Sequence, residues 1–184
     1  MPATSGKYYP EAALGRVFIG STAAAGVAAP ISTGTAVTFG LWNTSSTHNA
    51  VPLKLAIGYT SGTIALGEWG IANQYCGFTL ATAAPLSVFT TGTPKNALLG
   101  MGNASAMSFT PSAGTLTAGG TACLWLGPAN ESATAGLGTV GGFNYDFDGQ
   151  LIVPPGQLIF VCGSVAQTGV FTMSMSWAEV PLDT

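Results

Sequence analysis

Charge is what this chain has least of. Its 184 residues include 4 Lys+Arg and 7 Asp+Glu, 6% of the total, where about 25% is ordinary. A monomer of this length exposes roughly 8,000 Å², so its charges stand about one per 700 Å². No basic stripe exists to neutralise phosphates, which removes the electrostatic footprint of nucleic-acid binding. Long apolar runs are missing as well. Nothing approaches the roughly 18 consecutive apolar residues of a transmembrane helix, so no membrane is expected as a partner. The opening Met1-Pro2-Ala3-Thr4-Ser5-Gly6-Lys7 lacks the apolar core of a signal peptide, and synthesis in a cytoplasm without conventional export is the expectation.

Groups that do chemistry are equally sparse. A Ser-His-Asp triad would need the sole histidine, His48. That residue falls in the polar loop Asn43 to Asn49, and the chain has no Gly-x-Ser-x-Gly elbow. One histidine and three dispersed cysteines cannot make a zinc site. Cys76, Cys123 and Cys162 are odd in number, show no Cys-x-x-Cys spacing and sit among apolar residues. They read as small buried hydrophobes. The only acidic cluster is Asp146-Phe147-Asp148-Gly149. Alternate carboxylates on a strand share a face and could take a hard cation, but a calcium loop wants about six oxygens and no third carboxylate is near. Asp-Gly is also an ordinary turn signal, which is the preferred reading. Asn43-Thr44-Ser45, Asn103-Ala104-Ser105 and Asn130-Glu131-Ser132 match the glycosylation pattern, which matters only for an exported chain. With so few ionisable groups to gather in a cleft, the expectation is no enzymatic activity, no cofactor and no metal.

What the chain does have is apolar residues in short alternating runs. Hydrophobic residues are 47% and the mean hydropathy is +0.44. Soluble monomers avoid exposed apolar patches beyond a few hundred Å², so much of this surface is expected to be covered by copies of the chain. From Val51, Leu53, Leu55, Ile57 and Tyr59 alternate with Pro52, Lys54, Ala56 and Gly58; later Phe171, Met173, Met175 and Trp177 alternate with Thr172, Ser174, Ser176 and Ala178. A period of two is a half-buried strand. Further strands are read at 16–20, 35–43, 63–75, 77–80, 86–90, 97–101, 105–109, 121–127 and 142–147, with loops at 110–120 and 130–142. Residues 151–180 are read as a hairpin that closes a sheet. The total, roughly nine to eleven strands with no significant helix, suits an antiparallel sandwich or barrel. Residues 1–14 read as an extended N-terminal arm and 15–184 as one β-sandwich domain. Trp42, Trp69, Trp125 and Trp177 lie within apparent strands, which favours core or subunit interface over a sugar-stacking platform.

The C-terminal third carries a resemblance. Asn144-Tyr145-Asp146-Phe147, then Leu151-Ile152-Val153-Pro154-Pro155-Gly156, then a last strand ending Trp177-Ala178-Glu179-Val180-Pro181, together resemble the trimeric jelly-roll accessory proteins of bacteriophage virions. Ala56-Ile57-Gly58-Tyr59-Thr60-Ser61-Gly62-Thr63 is similar to them too. The layout also resembles the tumour-necrosis-factor-like trimers, without their signature residues. The likeness covers about half the chain and carries over no functional residue. It implies a jelly-roll sandwich in a homotrimer, made in the host cytoplasm and built into the virion. There it would decorate or cement a capsid, with the chain itself and the major capsid protein or another virion protein as partners. The alternative is a receptor- or glycan-binding head of a spike or tail fibre. Candidate interaction residues are Tyr8 and Tyr9 in the arm, and Tyr145, Asp146 and Asp148, the nearest grouping of an aromatic with carboxylates.

Overall fold

The computed structural model describes residues 7–81, 84–100, 103–130 and 142–182. After a five-residue helix, α1 (Tyr9–Ala13), come β1 (Val17–Ser21), β2 (Ala36–Val37), β3 (Gly40–Trp42), β4 (His48–Ser61) and β5 (Gly67–Tyr75). Four short strands follow: β6 (Leu86–Phe89), β7 (Lys95–Asn96), β8 (Ser108–Thr110) and β9 (Gly114–Leu116). The chain then runs through β10 (Thr121–Asn130), β11 (Phe143–Asp146), β12 (Gln157–Gly163) and β13 (Val170–Pro181). All named pairings are antiparallel. They build a front sheet, β11-β4-β13-β1-β7, a middle sheet, β10-β5-β12-β3-β8, and a small back sheet, β2-β9-β6.

Eight strands carry the architecture: β1, β3, β4, β5, β10, β11, β12 and β13. Counted along the chain, the front sheet sets the sixth, third, eighth and first side by side. The middle sheet sets the fifth, fourth, seventh and second side by side. This is a jelly roll, in which a wound-up hairpin brings the first and last strands together in one sheet. The long connection between β5 and β10 supplies four of the other five strands, and the link between β1 and β3 supplies β2. The longer connection gives β6 and β9 to the back sheet and adds β7 and β8 as outer edges of the other two.

Two cores separate the three layers. Between front and middle sheets lie Phe18, Leu55, Ile57, Phe171, Met173, Met175 and Trp177 on one side, and Leu41, Trp69, Ile71, Ile159 and Val161 on the other. The Trp69 and Phe171 rings meet edge to face at 4.8 Å, the arrangement their quadrupoles favour. Between middle and back sheets lie Val37, Leu86, Phe89, Leu116, Leu158, Phe160 and Cys162. β12 is therefore buried on both faces, which is why it reads as a continuous apolar run and not as an alternation.

Several sequence-based boundaries shift, each for a structural reason. Residues 151–180 do not form a hairpin: β12 belongs to the middle sheet and β13 to the front. Their apolar sides face each other across the core, and the link between them crosses it. Gln167, buried, pins that link by accepting from the Ala65 N–H at 3.0 Å and donating to the Ala65 carbonyl. The run 35–43 splits into β2 and β3 because the chain passes there from the back sheet to the middle one. No strand forms at 77–80. The Ser/Thr/Gly stretch 110–120, read as a loop, contains β9. Gly114 lets that strand fit, since a Cβ there would stand 3.2 Å from Val37 Cβ and from the Val88 carbonyl. Residues 131–141, with most of the third glycosylation pattern and of the loop read there, lie outside the described residues.

The N-terminal segment differs from the expected extended arm in its described part. Pro10 opens α1 and Glu11 sits in its first turn, where a fixed φ and a negative charge both favour helix. Tyr8 and Ala12 pack on Val17, Leu53 and Ala178 at one end of the front sheet's outer face. No helix among the described residues is long and apolar enough to cross a membrane.

Candidate functional site

Strand register places the chain's few charges. On the outer face of the front sheet, Asp146 pairs with Lys54, Lys54 with Ser176, Ser176 with Ile19, and Ile19 with Lys95. That row crosses all five strands. The next row, Asn144, Ala56, Ser174 and Ser21, is small and polar. Large inward residues alternate with small outward ones on β4 and β13, so the outer face forms a shallow trough. One part, about 390 Å³, is lined by Ile19, Lys54, Ala56, Asn144, Asp146, Ser174 and Ser176. A second, about 460 Å³, lies under the N-terminal segment between Tyr8, Tyr9, Ala12 and the strands.

At the meeting point of those two hollows, Tyr8 Oη–H donates to Asp146 Oδ1. Lys7 Nζ bonds Asp148 and stands 3.7 Å from Asp146. Asp148 takes a left-handed φ of 48°, and its N–H donates to Asp146 Oδ1 at 3.0 Å, the Asx-type turn in which Asp tolerates that conformation. Asp146-Phe147-Asp148-Gly149 is thus a turn. The Tyr8 hydrogen bond holds the Asp146 carboxyl below its ordinary range; partial desolvation opposes this, and Lys7 and Lys54 add to the lowering. Tyr8 is pushed up to about 12 by burial, by its bond to Asp146 and by that carboxylate's charge. The ion pairs here are half-exposed and individually weak. Their effect is to dock the segment before β1 onto its own sheet.

The five candidate interaction residues are therefore partly gathered. Tyr8, Asp146 and Asp148 form one cluster, and Tyr9 is exposed beside it. Tyr145 is not part of it. Its ring packs toward the core, edge to face on Phe147 at 5.1 Å, with Oη donating to Gln150. Asp146, one residue on, points to the opposite face of β11. Lys7, Lys54 and Lys95 were not singled out from the sequence. Alternation gives Lys54 an outward direction, but only the cross-strand register shows its neighbours.

A second cleft, about 260 Å³, is lined by Arg16, His48, Asn103 and Glu179 among others. His48 is the first residue of β4, not a loop residue, and its Nδ1 lies 2.9 Å from Thr47 Oγ1. Glu179 is 6% exposed and accepts three hydrogen bonds: from Ser105 Oγ, from Ala106 N–H at 2.9 Å and from Trp177 Nε1–H at 3.2 Å. Its oxygens tie β13 to the segment before β8.

The remaining candidates resolve as structural groups. Asn43 is fully buried, its amide donating to the His48 and Val153 carbonyls, so the first glycosylation pattern is a core pin. Cys76 and Cys162 are buried as expected, and burial pushes their thiols up to about 11 and about 12. Cys123 departs from the expectation and is exposed, because β10 is an edge strand. Trp42, Trp69 and Trp177 are core residues, while Trp125 is 43% exposed. Trp125 lies over Gly70, where a Cβ would come within 2.6 Å of its ring. Among the described residues no three His, Cys, Asp or Glu side chains converge to hold a metal ion.

The fold defines an all-β antiparallel sandwich of jelly-roll strand order. Comparison of the chain with family models, with curated proteins and with solved structures returns no match.

Proposed function

We propose that this chain is a structural protein of a virus particle, a homotrimer that decorates or cements a bacteriophage capsid. Its partners are copies of itself and the major capsid protein, and it is made in the host cytoplasm without a catalytic role. The observation that carries this reading is the distribution of charge over a jelly roll. All four cationic side chains lie on the front-sheet side: Lys54 and Lys95 in the outer row, Lys7 on Asp148, and Arg16 beside Glu11 of α1. Elsewhere the described acids are Glu68, exposed at the start of β5, and Glu179, buried. Large uncharged side chains such as Tyr75, Phe78, Leu99, Trp125 and Ile152 are meanwhile exposed.

Such a surface suits protein–protein burial, since leaving a charge unpaired in an interface is costly and interface centres are depleted of charge. The competing reading, a glycan-binding head, relied on Tyr145 standing beside Asp146 and Asp148. The Tyr145 ring and the Asp146 carboxylate point to opposite faces of β11, and Asp146 is already engaged by Tyr8. Electron microscopy of intact particles carrying a labelled copy tests the proposal. Many copies spread over the shell are the expected result. Copies confined to a tail tip or fibre end, or none in the particle, would reject it.

A further inference from the structure

We infer that residues 7–14 are exchanged between copies: the N-terminal segment of one protomer docks on the front sheet of the next, around Asp146 and Asp148. This deepens the oligomeric part of the function proposed above and rests on it. The first observation is that the side-chain contacts docking the segment all reach residues beyond the turn at Gly15. Lys7 meets Asp148 and Asp146, Tyr8 bonds Asp146, and Glu11 stands 3.6 Å from Arg16. Tyr8 and Ala12 pack on Val17, Leu53 and Ala178. The segment of a second copy carries the same four residues and can make each contact unchanged. Exchange of an identical element is an easy route to an oligomer for that reason.

The second observation is how loosely the segment sits on its own sheet. α1 has five residues, none of them buried, and a helix that short has no stability of its own. A hollow of about 460 Å³ remains between it and the strands, and Glu11 Oε2 is buried without a hydrogen bond. The pivot is Gly15, at φ +70°, where the lack of a Cβ opens other backbone conformations. The fixed body begins there, because the Asn96 amide donates to the Gly15 carbonyl at 2.8 Å. Opening at that point gives up the turn bond from the Arg16 N–H to the Glu11 carbonyl, and docking on a neighbour regains the rest.

Charge selects the occupant. The site presents two carboxylates beside a small apolar patch, so its complement is a cation next to an aromatic. Of the four cationic side chains, Lys54 and Lys95 lie in strands and Arg16 follows the pivot. Only Lys7, with Tyr8 beside it, stands on a segment that can leave the body. Docked on a neighbour, it leaves neither partner's charge unpaired in the contact.

Symmetry follows from the same contact. Segment and site are different patches, so the contact is head-to-tail, the kind that closes into a ring such as a trimer. Eight residues span up to about 27 Å when extended, enough to reach an adjoining copy.

The test treats the purified full chain with a water-soluble carbodiimide, which couples an amine to a carboxylate it touches and adds no spacer. Light scattering gives the oligomeric state beforehand, denaturing electrophoresis separates the products, and peptide mapping by mass spectrometry locates the links. Bands of two and three chains should carry the link from Lys7 to Asp148 or Asp146. Lys7→Arg keeps the charge, and circular dichroism checks that it keeps the fold, but a guanidinium does not couple; this variant should lose that link and the bands it makes. A Lys7 link found only in the single-chain band shows the segment docked at home and overturns the inference, as does the absence of any Lys7 link to these carboxylates. Either result leaves the virion reading standing, since particle location is read separately by microscopy. A monomeric wild type overturns the exchange and the oligomer together.

Discussion

Glu179 offers the sharpest test of how this sandwich holds together. It is a carboxylate on the last strand, 6% exposed, joining three elements at once. Oε1 accepts from Ser105 Oγ and from the Trp177 indole, and Oε2 accepts from the Ala106 N–H. Its own N–H donates to the Arg16 carbonyl at the start of β1. Glu179→Ala keeps that backbone bond but strands the indole N–H and the Ala106 N–H. Each unsatisfied buried donor costs about 1–3 kcal/mol. Two such donors give about 2–6 kcal/mol, and some water entry brings the total to about 2–5 kcal/mol. Glu179→Gln keeps one acceptor oxygen but turns an NH2 toward another donor, losing one charge-assisted bond at about 1.5–3 kcal/mol. For a chain of this size each kcal/mol moves the midpoint by about 2–4 °C, so Glu179→Ala should melt roughly 4–20 °C below wild type and Glu179→Gln between the two. Thermal and urea denaturation must be run at one fixed protein concentration, because any assembly of copies would add to apparent stability. Ser105→Ala in the Glu179→Ala background should cost less than Ser105→Ala alone, as expected of residues that share a bond. A Glu179→Ala protein within about 1 kcal/mol of wild type would refute the reasoning, because two buried donors left without an acceptor cannot be that cheap.

Three further outcomes follow from named contacts. Asp146 has a folded pKa below its ordinary 3.8, so the stabilisation it gives the N-terminal segment is fully present above the unfolded value and lost as pH falls through the lower folded one. Hydrogen exchange at the Ala12 amide should therefore be slow at pH 6 relative to its intrinsic rate and lose protection only as pH falls through a value below the ordinary 3.8. Asp146→Asn should bring the Tyr8 hydroxyl down from about 12, read by ultraviolet titration; an unchanged Tyr8 would exclude the bond. At Gly119 a Cβ would stand 2.0 Å from the Thr33 carbonyl oxygen, whereas at Gly149, with φ +77°, nothing lies within 4 Å. Gly119→Ala should thus cost several kcal/mol through backbone displacement, and Gly149→Ala only about 1 kcal/mol for the left-handed conformation. Equal midpoints for the two variants would contradict the packing at Gly119.

The all-β class, the half-buried strands β4 and β13 and the inward direction of Phe171, Met173, Met175 and Trp177 were legible in the sequence. Each rests on a period of two, which is a property of a few consecutive residues. The same period already sets Tyr145 and Asp146 on opposite faces, so their separation was readable without a structure. The placement of β12 and β13 in different sheets was not legible. An apolar strand followed by an alternating one fits a hairpin as well as a crossing, and only the competition for one shared core decides between them. β9 was hidden because its glycine and threonines make no hydrophobic pattern; its strand geometry comes from pairing with β2 and β6. The acids Asp146 and Asp148 could be picked out as a cluster, but Lys7 lies 141 positions from Asp148, and the row from Asp146 to Lys95 spans four strand pairings. Glu179 showed only as a carboxylate two residues past a tryptophan, with its donors at Ser105 and Ala106 far away in sequence. Local pattern determined which way side chains point on each strand; the long-range antiparallel register, set by burial of both faces of the middle sheet, decided which of them meet.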